Sequence, residues 1–155
     1  MPLINAPTCI TESFLGDEEF NRLLLDLGST RAQTAEGSRW MVVPEHRGSR
    51  LALSLVAGAI AICRCLGMKT LIVMAGTRDG QDRLLIHAGF QAVPGLALRD
   101  APMYDDQLRI LYLDVFQEPN LLIAGLLKKM TNLVEGQFCD RTAELALMNE
   151  SLQAS

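Results

Sequence analysis

This sequence predicts an α/β domain, on three observations. The run SRWMVV is rich in β-forming residues and stops at Pro44. It leads through a loop holding Arg47, Gly48 and Arg50 into LALSLVAGAIAIC, an apolar stretch that reads as a buried helix over residues 50–66 and is ended by Gly67. MKTLIVMAG then supplies a continuous apolar run of the kind buried on both faces of a sheet, and QLRILYLDV a further strand. Strands alternating with helices in this order build an α/β layer. At 155 residues the chain is long enough for one hydrophobic core and short for two, so a single domain over 1–155 is expected.

Taken in order, the first thirty-five residues are loop-like apart from DEEFNRLLLDLG. There Phe20, Leu23, Leu24 and Leu27 recur at helical spacing, Asp17 can cap the start and Gly28 closes it. STRAQTAEG reads as a polar linker before the SRWMVV strand. After MKTLIVMAG, the segment TRDGQDRLLIHAGF carries a short helix, with Asp79 as its cap, Leu84, Leu85 and Ala88 on one side and Gly89 as its stop. FQAV and QLRILYLDV read as strands separated by PGLALRDAPMYDD. Along the last strand Leu108, Ile110, Tyr112 and Asp114 alternate with Arg109, Leu111, Leu113 and Val115, which predicts one apolar face and one mixed face. Residues 118–135 and 139–152 read as two helices split by Gly136, so the core spans about 36–116 and a helical tail about 118–152.

Composition narrows the function classes. A net charge of −4 with interspersed signs gives no global field for nucleic acid. The longest apolar stretch falls short of the ~20 residues that span a bilayer, and the N-terminus lacks a basic region before an apolar one, so neither a membrane span nor a secretory signal is expected and the cytoplasm is the predicted compartment. Cys9, Cys63, Cys65 and Cys139 contain no C-x-x-C pair and read as reduced structural thiols. With His46 and His87 the only histidines and no tight cluster of ligand types, no metal is expected.

The segment EGSRWMVVPEHRGSR is where chemistry is legible. A strand that passes through a glycine-containing loop into a helix presents unpaired backbone N–H groups and the positive end of the helix dipole, a place that holds phosphate. Arg47 and Arg50 add charge there and Gly48 permits close approach of an anion; an ordinary turn with solvated arginines is the alternative. No G-x-x-x-x-G-K-[ST] exists, which excludes a P-loop. Alternation on the strand sends Arg39 inward with Met41 and Val43, and a buried guanidinium requires a carboxylate, of which Glu36 is nearest in sequence; a surface ion pair is the alternative reading.

The order of strand, Pro-x-x-Arg-Gly loop, helix, strand, short helix and Ala88-Gly89-Phe90 resembles the GCN5-related acyltransferase superfamily, with Arg50 standing where the phosphate loop of that superfamily has a central glycine. Glu36-Gly37-Ser38-Arg39-Trp40 is similar to the Glu-x-Ser-Arg-aromatic signature of the acyl-homoserine-lactone synthases on the same fold, as are Arg83-Leu84 with Ala88-Gly89-Phe90, and upstream Ala6-Pro7-Thr8 with Ser13-Phe14. The resemblance covers roughly residues 1–116. It implies a GNAT-like mixed sheet with flanking helices, truncated at its N-terminus and extended by C-terminal helices.

It also implies an N-acyltransferase that takes an acyl chain from acyl carrier protein, or from acyl-CoA, with no permanently bound cofactor, and passes it to an amine, S-adenosylmethionine for a quorum-sensing lactone. Glu36, Ser38 and Arg39 would be catalytic, while Trp40, Met41, Val42, Val43, Arg47, Gly48 and Arg50 would hold the donor's pantetheine and phosphate. Tyr104 and Tyr112 are candidate general acids by analogy with the wider superfamily. An acetyl-CoA acetyltransferase, an N-acyl amino acid synthase and an inactive truncated homologue are the alternatives. The family's N-terminal portion, with much of its acceptor site, has no counterpart here, which implies a fragment or misplaced start, a partner chain or oligomer covering the open sheet edge, or a degenerate homologue.

Overall fold

The computed structural model describes residues 9–38, 42, 44–46 and 50–153. A short helix α1, Ile10–Leu15, is followed across Gly16 by α2, Asp17–Asp26. Asp17, Glu18 and Glu19 sit in the first turn of α2, where the helix dipole favours negative charge, and Phe20, Leu23 and Leu24 form its buried stripe. Asp17 is the first helical residue and not the cap, which is Gly16.

The first strand, β1, is Thr34–Gly37. It falls inside the stretch that reads as a polar linker. None of its residues is fully buried, so it carries no apolar alternation to announce it, and its ladder with the next strand is what makes it a strand. Of the predicted strand SRWMVV, Ser38 and Val42 are described and neither is in a strand; Arg39, Trp40, Met41 and Val43 lie outside the described residues.

Helix α3, Arg50–Cys65, buries Val56, Ala57, Ile60, Ala61 and Cys63, as its apolar run foretells. The strand β2, Thr70–Gly76, is buried on both faces. Helix α4, Gln81–His87, starts from Gly80 at φ +73°, a left-handed conformation that costs glycine nothing, and not from an Asp79 cap. Two short strands follow, β3 at Gln91–Ala92 and β4 at Arg99–Ala101, and then β5, Asp106–Asp114. Helix α5 is one helix, Leu121–Gln153, running through Gly136, where two were expected. A glycine inside a helix costs about 1 kcal/mol against alanine, too little to break a helix already anchored in the core.

The sheet has the order β1-β2-β5-β3, with β4 also pairing β5. β1 runs parallel to β2 from Thr34↔Thr70 to Gly37↔Val73, and β5 runs antiparallel to β2 from Thr70↔Asp114 to Gly76↔Leu108. The result is the mixed sheet with flanking helices and a C-terminal helical extension that the resemblance implies. Alternation divides the core into two layers. Leu71, Val73, Leu111 and Leu113 pack with Val56 and Ile60 of α3, Leu85 of α4, and Ile123 and Leu127 of α5. On the opposite face Ile72 and Ile110, with Tyr112, meet Phe20, Leu23 and Leu24 of α2. Both faces of β5 are covered, one through Leu111 and Leu113 and the other, which also carries Tyr112 and the half-buried Asp114, through Ile110. Its cation, Arg109, is paired 3.1 Å from the carboxylate of Asp82 on α4. Arg64 closes the far end of α3, donating to the carbonyls of Val115 and Gln117.

Candidate functional site

Glu36 is the third residue of β1, and its side chain reaches the first turn of α1. One carboxylate oxygen accepts the Ile10 N–H at 2.7 Å; the other accepts the Thr11 N–H at 2.7 Å and the Thr11 hydroxyl. These are N–H groups that a helix leaves unpaired at its start, so the anion is held by hydrogen bonds and by the dipole together. Around this contact the Sγ of Cys9 caps α1 by accepting the Glu12 N–H at 3.3 Å, and Glu12 pairs with Arg31, whose guanidinium lies 5.2 Å from the centre of the Phe20 ring. The hydrogen bond from Arg31 holds the Glu12 carboxyl below the ordinary carboxylate range. Burial pushes the Cys9 and Cys63 thiols up, away from the reactive thiolate.

β1 ends opposite Val73, whereas β2 runs on to Gly76. In the angle so opened lies a cleft of about 320 Å³. Val73, Met74, Leu85 and Leu108 make its wall apolar, while Glu36, Ser38, Gln81, Tyr104 and Asp106 bring polar groups to it. Such a cleft, apolar with a few convergent polar groups, is the form of a small-molecule site. The structure thus brings together Glu36, Ser38 and Tyr104 from the residues the sequence nominates. Tyr112 is not with them: its hydroxyl donates to Gln91 at 3.0 Å and its ring packs in the α2 layer.

The proposed phosphate loop is described in part. Arg50 opens α3 and is exposed, with its carbonyl accepting the Ser54 hydroxyl at 3.0 Å. Val42 is half-buried, and the exposed His46 closes the short turn Pro44–His46. Arg47 and Gly48, like Arg39, Trp40, Met41 and Val43, lie outside the described residues. His87 is exposed at the end of α4, its Nδ1 2.7 Å from the Arg83 carbonyl. Among the described residues no group of three His, Cys, Asp or Glu could hold a metal, and no helix is long and apolar enough to cross a membrane.

Sequence reasoning missed Asp106, Gln81 and Gly76. Asp106 begins β5, and its Oδ1 accepts the Gln107 N–H at 2.7 Å, the Arg78 N–H at 3.0 Å and the Thr77 hydroxyl at 3.3 Å. Burial alone would raise its pKa, but the backbone N–H groups of Arg78, Gln107 and Thr77 outweigh it and hold the carboxyl below its usual range. Gln81 accepts the Gly76 N–H at 3.1 Å. The pairing of β2 with β5 is what brings Gly76 and Asp106 together, across 30 residues of chain that carry no common motif.

No protein-family model matches this chain, and no curated protein matches it. Solved structures do. The CoA-dependent acyl-homoserine lactone synthase BjaI, with SAM and isopentyl-CoA, is similar at 18% identity over 67% of this chain, with a TM-score of 0.45. The same protein with MTA is similar at 19% identity over 76% of this chain, with a TM-score of 0.48. The CoA-dependent acyl-homoserine lactone synthase MesI is similar at 20% identity over 70%, with a TM-score of 0.47. The chain spans about half the length of these proteins, 44% and 51% for the two BjaI structures and 53% for MesI.

Proposed function

We propose that this chain carries the acyl-transfer half of an N-acyltransferase that moves an acyl group from a phosphopantetheine thioester to S-adenosylmethionine, giving an acyl-homoserine lactone. The observation that carries the reading is the meeting of Glu36, in the Glu36-Gly37-Ser38-Arg39-Trp40 signature, with a cleft opened where β1 stops and β2 continues. A thioester in that angle lies beside strand ends whose N–H groups are suited to a developing oxyanion. The acceptor's amine nitrogen attacks the thioester carbonyl, the new C–N bond forms, the C–S bond breaks, and the amine proton leaves as the pantetheine sulfur becomes a thiol. The acceptor's own carboxylate then closes the lactone by displacing the neutral thioether from the sulfonium carbon.

In this scheme Ser38 and Arg39 act with Glu36 at the reacting groups, the segment Trp40, Met41, Val42 and Val43 lines the donor, and Arg47, Gly48 and Arg50 take its phosphate. Glu36 anchors α1 against the acceptor side, since three hydrogen bonds already fix its carboxylate. The donor is acyl-CoA or acyl carrier protein; both present the same pantetheine arm. BjaI and MesI are described as CoA-dependent, which favours including CoA.

The test is incubation of the chain with S-adenosylmethionine and donors of several acyl lengths, on CoA and on carrier protein, with products read by mass spectrometry. The expected product is an acyl-homoserine lactone whose yield falls at least tenfold in Glu36→Gln. Acylation of a different amine from acetyl-CoA, or no product from the folded chain with either donor, overturns the reading.

A further inference from the structure

The carboxylate that the signature nominates for the acceptor is largely spent. A carboxylate offers roughly four acceptor positions, and α1 occupies three of those on Glu36. Asp106 lines the same cleft and is differently disposed. Hydrogen bonds from the Gln107 N–H, the Arg78 N–H and the Thr77 hydroxyl all fall on its Oδ1 and fix the side chain. Oδ2 lies over Gly76 so closely that a Cβ at that position would stand 2.2 Å from it. The chain thus holds one carboxylate oxygen rigidly in the cleft and keeps the adjacent backbone bare to make room for it.

We propose that Asp106 Oδ2 is the recognition group for the positive sulfur of the acceptor, a sulfonium, in this cleft. The inference rests on the reading of S-adenosylmethionine as acceptor and goes beyond it by assigning the charge-selecting residue. The chemistry favours the sulfonium over the ammonium. A carboxylate against the ammonium would retain the proton that the nitrogen must lose before it attacks, whereas a sulfonium has no proton to lose and gains only the Coulomb attraction. That attraction also discriminates: a neutral thioether of the same shape loses it.

The experiment compares binding of S-adenosylmethionine and S-adenosylhomocysteine to the whole chain by titration calorimetry. The two probes share the amine and the adenosine and differ in the S-methyl group and the positive charge it leaves on sulfur. The unmodified chain is expected to prefer the sulfonium by about tenfold, less as salt is added. In Asp106→Asn, which keeps the shape and the Oδ1 acceptor, the preference is expected to fall to about one while binding of the thioether stays unchanged. Gly76→Ala pushes the carboxylate aside without removing its charge and is expected to reduce the preference as well, with folding of each variant checked by near-ultraviolet circular dichroism. A preference that survives in Asp106→Asn, or one absent from the unmodified chain, overturns the assignment of Asp106 alone. Failure of both probes to bind overturns the acceptor reading, and this assignment with it.

Discussion

Glu12 and Glu36 show how a side chain's partners, more than its type, settle what it does. Glu36 lies in a sequence signature whose nearest cation is Arg39, yet its described partners are the N–H groups of Ile10 and Thr11, twenty-five residues upstream and more. Glu12 attracts no notice in the sequence and is a buried carboxylate paired with Arg31. Because its pKa is lowered on folding, the stabilisation is fully present above the ordinary carboxylate range and is lost as pH falls through the lowered value. Glu12→Gln is therefore expected to reduce stability at pH 7, by about 1 kcal/mol for a pair whose arginine is half exposed, and to match the unmodified chain near pH 2. Urea melts across that range check it, and a deficit that does not shrink on acidification refutes the pairing as its source. Asp106 was legible as an acidic residue before a strand, but its fixed carboxylate was not, because the Thr77 and Arg78 groups that fix it arrive through sheet pairing.

At the scale of elements, strongly patterned segments behaved as read. α3, β2, α4 and β5 stand close to where their apolar residues put them, since each buries part of its length in the core. β1 did not, because four half-buried residues have no pattern of their own and take strand form from β2. The division of the tail at Gly136 failed for a related reason. The residues before it, Ile123 and Leu127 above all, are buried against α3 and commit the helix, and the local cost of one glycine does not undo that. Gly136 is exposed and a Cβ there would meet nothing, so Gly136→Ala is expected to stabilise the chain by about 0.5–1 kcal/mol. A denaturation midpoint that does not rise would show that this turn of α5 adds nothing to the cooperative unit.

The whole molecule is organised by the sheet, which α2 covers on one face and α3, α4 and α5 on the other. Leu111 sits at its centre with no exposure at all, so Leu111→Ala is expected to cost roughly 2–5 kcal/mol, a large part of the 5–15 kcal/mol typical of a domain. The check is a lower urea midpoint at an unchanged slope; a loss below about 1 kcal/mol would mean that the two layers are not one core. The sequence by itself determined the α/β class and displays the motif that begins at Glu36, because hydrophobic periodicity and short motifs are local properties that one stretch of chain displays unaided. Only the tertiary structure decided that a polar linker becomes the edge strand beside the cleft, that Glu36 answers to a helix start, and that Asp106 faces Gly76. Each of these is a contact between segments far apart in the chain, made by strand register and helix placement, and no local pattern records it.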